Sequence, residues 1–83
     1  MNEPKIVLNM VRCNGCKQVL ISLHRHDYRT CSCEYQIMVD GGVDYCRRGW
    51  DSKFGTLGEL SEDLTIVKVN NKFKMQKDVT EDD

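Results

Sequence analysis

Four of the five cysteines in this 83-residue chain fall into two close pairs, Cys13-Asn14-Gly15-Cys16 and Cys31-Ser32-Cys33, with 14 residues between them. A chain of this length forms one small domain. A core of that size rarely yields more than about 3–5 kcal/mol of net stability, so such chains commonly add disulfides, a structural metal or a partner subunit. The first residues, Met1-Asn2-Glu3-Pro4-Lys5, carry neither the charged nor the apolar segment of a secretion signal, and no apolar run reaches the ~18 residues of a membrane span. A cytoplasmic location is therefore expected. In that reducing compartment paired cysteines hold a metal more often than a disulfide. Structural zinc takes four ligands tetrahedrally, and two cysteine pairs on tight turns can present four thiolates without straining the backbone. Cys13, Cys16, Cys31 and Cys33 are accordingly the expected ligands of one Zn2+.

The apolar residues around these pairs alternate with period two. Ile6, Leu8 and Met10 share one face of a first segment, and Val19, Ile21 and Leu23 one face of a second. The Asn14-Gly15 pair between them suits a tight hairpin turn. Residues 35–39 and 43–48 form a second expected hairpin across Asp40-Gly41-Gly42, and residues 64–69 and 72–75 a third across Asn70-Asn71. Glycines 41 and 42 are expected to take backbone conformations closed to β-branched residues. One short helix is conceivable near Thr56-Leu57-Gly58-Glu59-Leu60-Ser61, where Thr56 and Glu59 match a capping box. Apolar faces at 6–11, 19–23 and 35–39 cannot be buried singly, so the hairpins must pack on one another. The expected fold is a small, mostly-β, zinc-ribbon-like domain of antiparallel hairpins with little or no helix. It spans residues 1–77 and is followed by a disordered acidic tail at 78–83, where four acids accompany one apolar side chain.

His24 and His26 are alternative ligands, because i and i+2 on a strand point the same way and imidazole also suits zinc. The four cysteines are preferred, each pair bracketing a short turn. Cys46, next to Tyr45, reads as a buried or half-buried free thiol.

Charge is close to balanced, 12 Lys and Arg against 13 Asp and Glu, but residues 1–50 carry seven basic and five acidic groups, and residues 51–83 five and eight. No strong global pull toward nucleic acid is expected, so any such site would be a local patch. Catalysis is not expected either. Adjacent His26 and Asp27 would face opposite sides of a strand, and no activated nucleophile is visible.

Taken together, Cys13-x-x-Cys16, Ser22-x-His24-Arg25-His26-Asp27-Tyr28, Cys31-x-Cys33 and Val39-Asp40-Gly41-Gly42-x-Asp44-Tyr45-x-Arg47-Arg48 resemble a family of small, uncharacterised bacteriophage proteins with a zinc-ribbon-like cysteine pattern. The resemblance covers about residues 11–49. It implies an accessory role in the cytoplasm of an infected bacterial host, such as interference with a host enzyme or an anti-defence interaction.

The leading expectation for function is therefore a binding partner that is a host or defence protein. The alternative is RNA or single-stranded DNA, held by Arg12, Lys17, His24, Arg25, His26 and Arg29, with Tyr28, Tyr45 or Trp50 stacking on bases. In either case Arg25, Arg29, Arg47, Arg48 and Trp50 are the expected partner-binding residues. Arg47 and Arg48 point to opposite faces of a strand, so one of them is expected to pair inward with Asp27, Asp40 or Asp44.

Overall fold

A computed structural model describes residues 4–79. The first strand, β1 (Lys5–Cys13), runs through the centre of the larger sheet. It pairs antiparallel with β2 (Val19–Ser22) on one side. On the other it meets β7 (Ile66–Val69) along its first half and β6 (Ser61–Asp63) along its second. The edge strand β8 (Lys72–Met75) returns on β7. A smaller sheet has the order β3 (Arg29–Thr30), β4 (Met38–Asp40), β5 (Arg47–Gly49), also antiparallel. Among the described residues the single α-helix is α1 (Leu57–Leu60), and no helix is long and apolar enough to cross a membrane.

All three expected hairpins form, and the capping box is present in full: the Thr56 hydroxyl accepts from Glu59 N and the Glu59 carboxylate accepts from Thr56 N. At the third hairpin Asn70 and Asn71 take φ of 53° and 63°, the paired left-handed residues of a two-residue turn that follows strand twist. Gly41 and Gly42 are left-handed as well, at φ 110° and 54°. A Cβ on Gly42 would overlap the backbone of His24, so this turn packs directly on the loop after β2.

The first turn differs from expectation. Asn14-Gly15 is not a two-residue turn; the loop runs from Cys13 to Gln18, closed by Cys13 N donating to Gln18 O, with Lys17 at φ 64°. The strand after it also stops at Ser22, so His24 and His26 lie on a loop rather than a strand face. The acidic tail expected from 78 starts within a 3-10 turn, Gln76–Asp78, and its residues 80–83 lie outside the described residues.

The smaller sheet packs against one face of the larger one. The side of β1 and β2 turned inward carries Asn9, Val11, Cys13, Leu20 and Ser22, all buried, while Val19, Ile21 and Leu23 are turned outward. Apolar contact comes from Val11, Leu20, Ile37, Val39 and Leu60, with Cys13 and Cys31 in the same cluster. Polar contact explains why Asn9 and Ser22 occupy core positions. Asn9 donates to the carbonyls of Asp40 and Tyr45, and Ser22 Oγ donates to Asp27 O while accepting from Gly42 N. Buried side chains that satisfy turn backbone groups meet the requirement that buried polar atoms be paired.

Arg48 completes this network. Its guanidinium donates to Asn9 Oδ1 at 2.9 Å, Thr65 Oγ1 at 2.8 Å and Asp63 Oδ1 at 3.3 Å, tying β5 across to β1 and the segment before β7. The inward arginine is thus Arg48, but its acid is Asp63, outside the group of carboxylates expected from sequence. Arg47 is exposed, 4.0 Å from Asp40. Removing Arg48 leaves Asn9, Thr65 and Asp63 short of a donor, so Arg48→Met should destabilise by about 1.5–3 kcal/mol, and Arg47→Met by much less. Paired urea titrations check this; equal midpoints would mean the buried network contributes little.

Asp27 braces the loop after β2, accepting from Leu23 N at 2.8 Å and Arg29 Nε at 2.9 Å. The Leu23 amide, followed by Arg29, holds its carboxyl below the ordinary value of 3.8. A depressed folded value means the stabilisation is present above the unfolded pKa and is lost as pH falls through the folded one. In Asp27→Asn the stability profile should therefore be flatter on the acid side of pH 4 than in the parent, as read by thermal melts across pH.

Candidate metal centre

The four cysteine sulfurs all lie within 4.8 Å of one another. Cys13 ends β1 and Cys16 lies in the turn that follows, while Cys31 and Cys33 come just after β3. Two loops from different sheets therefore meet at this point. Cys13 Sγ is 3.3 Å from Cys33 Sγ, which is 3.7 Å from Cys31 Sγ. Tetrahedral zinc with sulfur at about 2.3 Å requires S···S separations of about 3.8 Å. The cluster brackets that spacing and is too open for disulfides, and all five cysteines are free thiols.

Each loop is shaped for the purpose. The first is closed by Lys17 N donating to Cys13 O, and it is pinned to the helix by Asn14 N donating to Leu60 O and Asn14 Nδ2 to Glu59 O. In the second, Cys31 N donates to Ile37 O, Gln36 N donates to Cys33 O, and Gln36 takes φ 53°. Ile37 N then donates to Cys31 Sγ at 3.2 Å. Gln18 Oε1 bridges the loops by accepting from Ser32 N. Gly15 lies so close to the Tyr35 ring and Cys33 Sγ that an added Cβ would be 2.9 Å and 3.2 Å away. Here the glycine serves close approach, since the left-handed residue is Lys17.

The electrostatics divide the thiols. The backbone amide of Tyr35, with help from the neighbouring thiols, lowers Cys33 to about 7. Burial raises Cys13 to about 12. A cation with soft-ligand preference would resolve the conflict, because deprotonated ligands and metal offset each other's desolvation. Cys13, Cys16, Cys31 and Cys33 would supply all four ligands of a zinc ion and so give it a structural rather than a catalytic role. The donor set thus fits zinc. Beside the cluster, Cys31 and Cys33 join Tyr28, Thr30, Ser32 and Gln36 around a shallow depression of about 400 Å3.

His24 and His26 do not belong to the cluster. The His24 ring meets the Arg25 carbonyl, and His26 meets the Tyr45 hydroxyl at 3.3 Å. Cys46 is half-buried just before β5, its thiol raised chiefly by burial and its Sγ 3.6 Å from Gln76 Oε1. The five expected partner-binding residues are divided among several tasks. Arg48 is committed inward and is corrected to a structural residue. Arg29 pairs with Asp27, Arg25 and Arg47 are exposed, and Trp50 donates to Gly55 O. Sequence reading missed the helix-to-loop ties at Asn14, the amide at Ile37 and the left-handed Lys17 and Gln36. Neither left-handed residue is the glycine that would have signalled it.

If the site holds zinc, purified protein should contain one Zn2+ per chain, and Cys31→Ser or a strong chelator should abolish cooperative melting while Cys46→Ser melts close to the parent. Structural zinc supplies roughly 10–16 kcal/mol of apparent binding free energy in small peptides, more than the core alone can offer. Metal analysis with circular dichroism checks both; a Cys31→Ser variant that melts like the parent contradicts the assignment.

Comparison with known proteins finds one family. The model of a family described as "Domain of unknown function (DUF7695)" matches residues 5–50, more than half of the chain. No curated protein and no solved structure matches.

Proposed function

The chain belongs to the DUF7695 family, and from that premise we propose that it is a small zinc-stapled binding protein that modulates a host or defence protein in a phage-infected bacterial cell. The observation that carries the binding-module reading is the four-sulfur cluster at the junction of the two sheets. Zinc held by Cys13, Cys16, Cys31 and Cys33 would stabilise a domain whose core is small, leaving its surfaces to recognition. The resemblance of residues 11–49 to small phage proteins supports the cellular setting.

A binding role is also favoured over catalysis by how the polar residues are employed. Asp27 is occupied by Arg29 and the Leu23 amide, and the Asn9, Arg48 and Thr65 groups by one another. These are the bonds of a brace.

A second reading, nucleic-acid binding, has one specific observation in its favour. Beside the second cysteine loop, Tyr35 and Phe54 pack at 5.4 Å between ring centroids, Lys53 lies over Phe54, and Phe54 and Trp50 are partly exposed. Aromatic faces with a cation suit stacked bases.

The test is capture of partners from bacterial lysate by zinc-loaded protein, with and without nuclease, over a salt series. A protein partner should be retained after nuclease and weaken modestly with salt, whereas a nucleic-acid complex must weaken steeply. Trp50→Ala, and Arg25→Glu with Arg29→Glu, should reduce capture if this aromatic and cationic surface takes part. Loss of all binding on nuclease treatment would favour the second reading.

A further inference from the structure

Among the described residues, nothing packs over the second face of the larger sheet. Its register places Arg12 beside Val19, Met10 beside Ile21 and Leu8 beside Ile66, each pair on the outward side. Leu23 follows with 65% of its surface exposed, Val19 with 46% and Ile21 with 36%. Leu8, Met10 and Ile66 add half-buried apolar surface to this outward face, whereas the inward face includes the polar Asn9 and Ser22. An apolar sheet face left open on so small a domain marks an interaction surface.

Charge says what it would accept. Lys5 and Lys68 stand directly opposite each other at one end of this face, the Lys68 ammonium over the Phe73 ring, and an anion between the two lysines would relieve a cross-strand like-charge pair. At the other end Arg12 and Lys77 flank Glu62. The surface is therefore a largely aliphatic strip, with the exposed Phe73 ring beside Lys68, between two cationic ends, and Glu62 is its one carboxylate among the residues named.

We propose that this face docks an acidic amphipathic segment of a partner protein, one presenting aliphatic side chains bordered by carboxylates. The proposal rests on the protein-binding reading above and adds which surface is used and what chemistry it selects. Two other occupants fit less well. A second copy would bring the same cations together. Single-stranded nucleic acid would prefer several aromatic platforms, whereas this strip offers one, Phe73 beside Lys68, among the aliphatic Leu8, Val19, Ile21, Leu23 and Ile66.

The probe is a synthetic helical peptide of ~18 residues with Leu at i, i+3, i+4 and i+7 spacing and Glu elsewhere, compared with its Lys counterpart. A thymidine oligonucleotide and vesicles of phosphatidylserine and phosphatidylcholine are run in parallel, all against zinc-loaded full-length protein. The Glu peptide should bind saturably and at least tenfold more tightly than the Lys peptide. Ile21→Glu should weaken it at least tenfold, and Lys68→Glu should narrow or reverse the preference. Should Ile21→Glu fail to fold, Leu23→Glu, at a more exposed position, takes its place. Indifference to peptide charge, tighter binding of oligonucleotide or vesicle, or concentration-dependent dimerisation abolished by Ile21→Glu in sedimentation would each overturn the proposal. If the peptide fails while nuclease-resistant capture persists in Ile21→Glu, the protein-binding reading stands and this surface is excluded.

Discussion

Four sulfurs brought together from two loops are the junction on which the rest of this domain depends. Cys13 is the last residue of the central strand and Cys31 follows the first strand of the smaller sheet, so a common cation would fasten the two layers where they meet. Both are also members of the buried apolar cluster, which makes the candidate metal site continuous with the core. Without a cation the cluster is in conflict with itself, one thiol pushed up by burial and another pulled down by an amide. A cation bound there would resolve that conflict and so couple metal binding to folding.

Away from the sulfurs, the layers are held by polar groups. Asn9, Ser22 and Arg48 reach the backbone and side chains of the 40–45 turn and of Thr65, and each is surrounded by partners. Apolar contacts among Val11, Leu20, Ile37 and Val39 supply attraction without direction. The hydrogen bonds supply direction, because each donor must find one acceptor to avoid a buried unpaired group. A sulfur cluster at one end and a polar network at the other thus fix how two short sheets lie on each other. The same allocation turns Val19, Ile21 and Leu23 to the outside, where they are open to a partner.

The two cysteine pairs, three hairpins, the Gly41-Gly42 turn and the capping box were legible because each is local: it is written in the spacing or identity of residues a few positions apart. The ends of the first turn were not. Lys17 and Gln36 adopt left-handed conformations that their side chains do not announce, and the loops around them close because hydrogen bonds and sulfur contacts from elsewhere hold them. Which arginine pairs inward was half legible. Strand alternation required Arg47 and Arg48 to diverge, but Asp63 becomes the acid only because β6 lies beside β1.

By itself, the sequence determined that the chain would be β-rich, would place four thiols on two loops, and would alternate along β1 and β2. Alternation defines two faces without saying which is buried, since it is a property of one strand. Only the tertiary structure decided that, selecting the face with Asn9 and Ser22 for the interior. The reason is that the turn carbonyls and the Gly42 amide packed against it need partners, and leaving them buried and unpaired would cost more than exposing three aliphatic side chains.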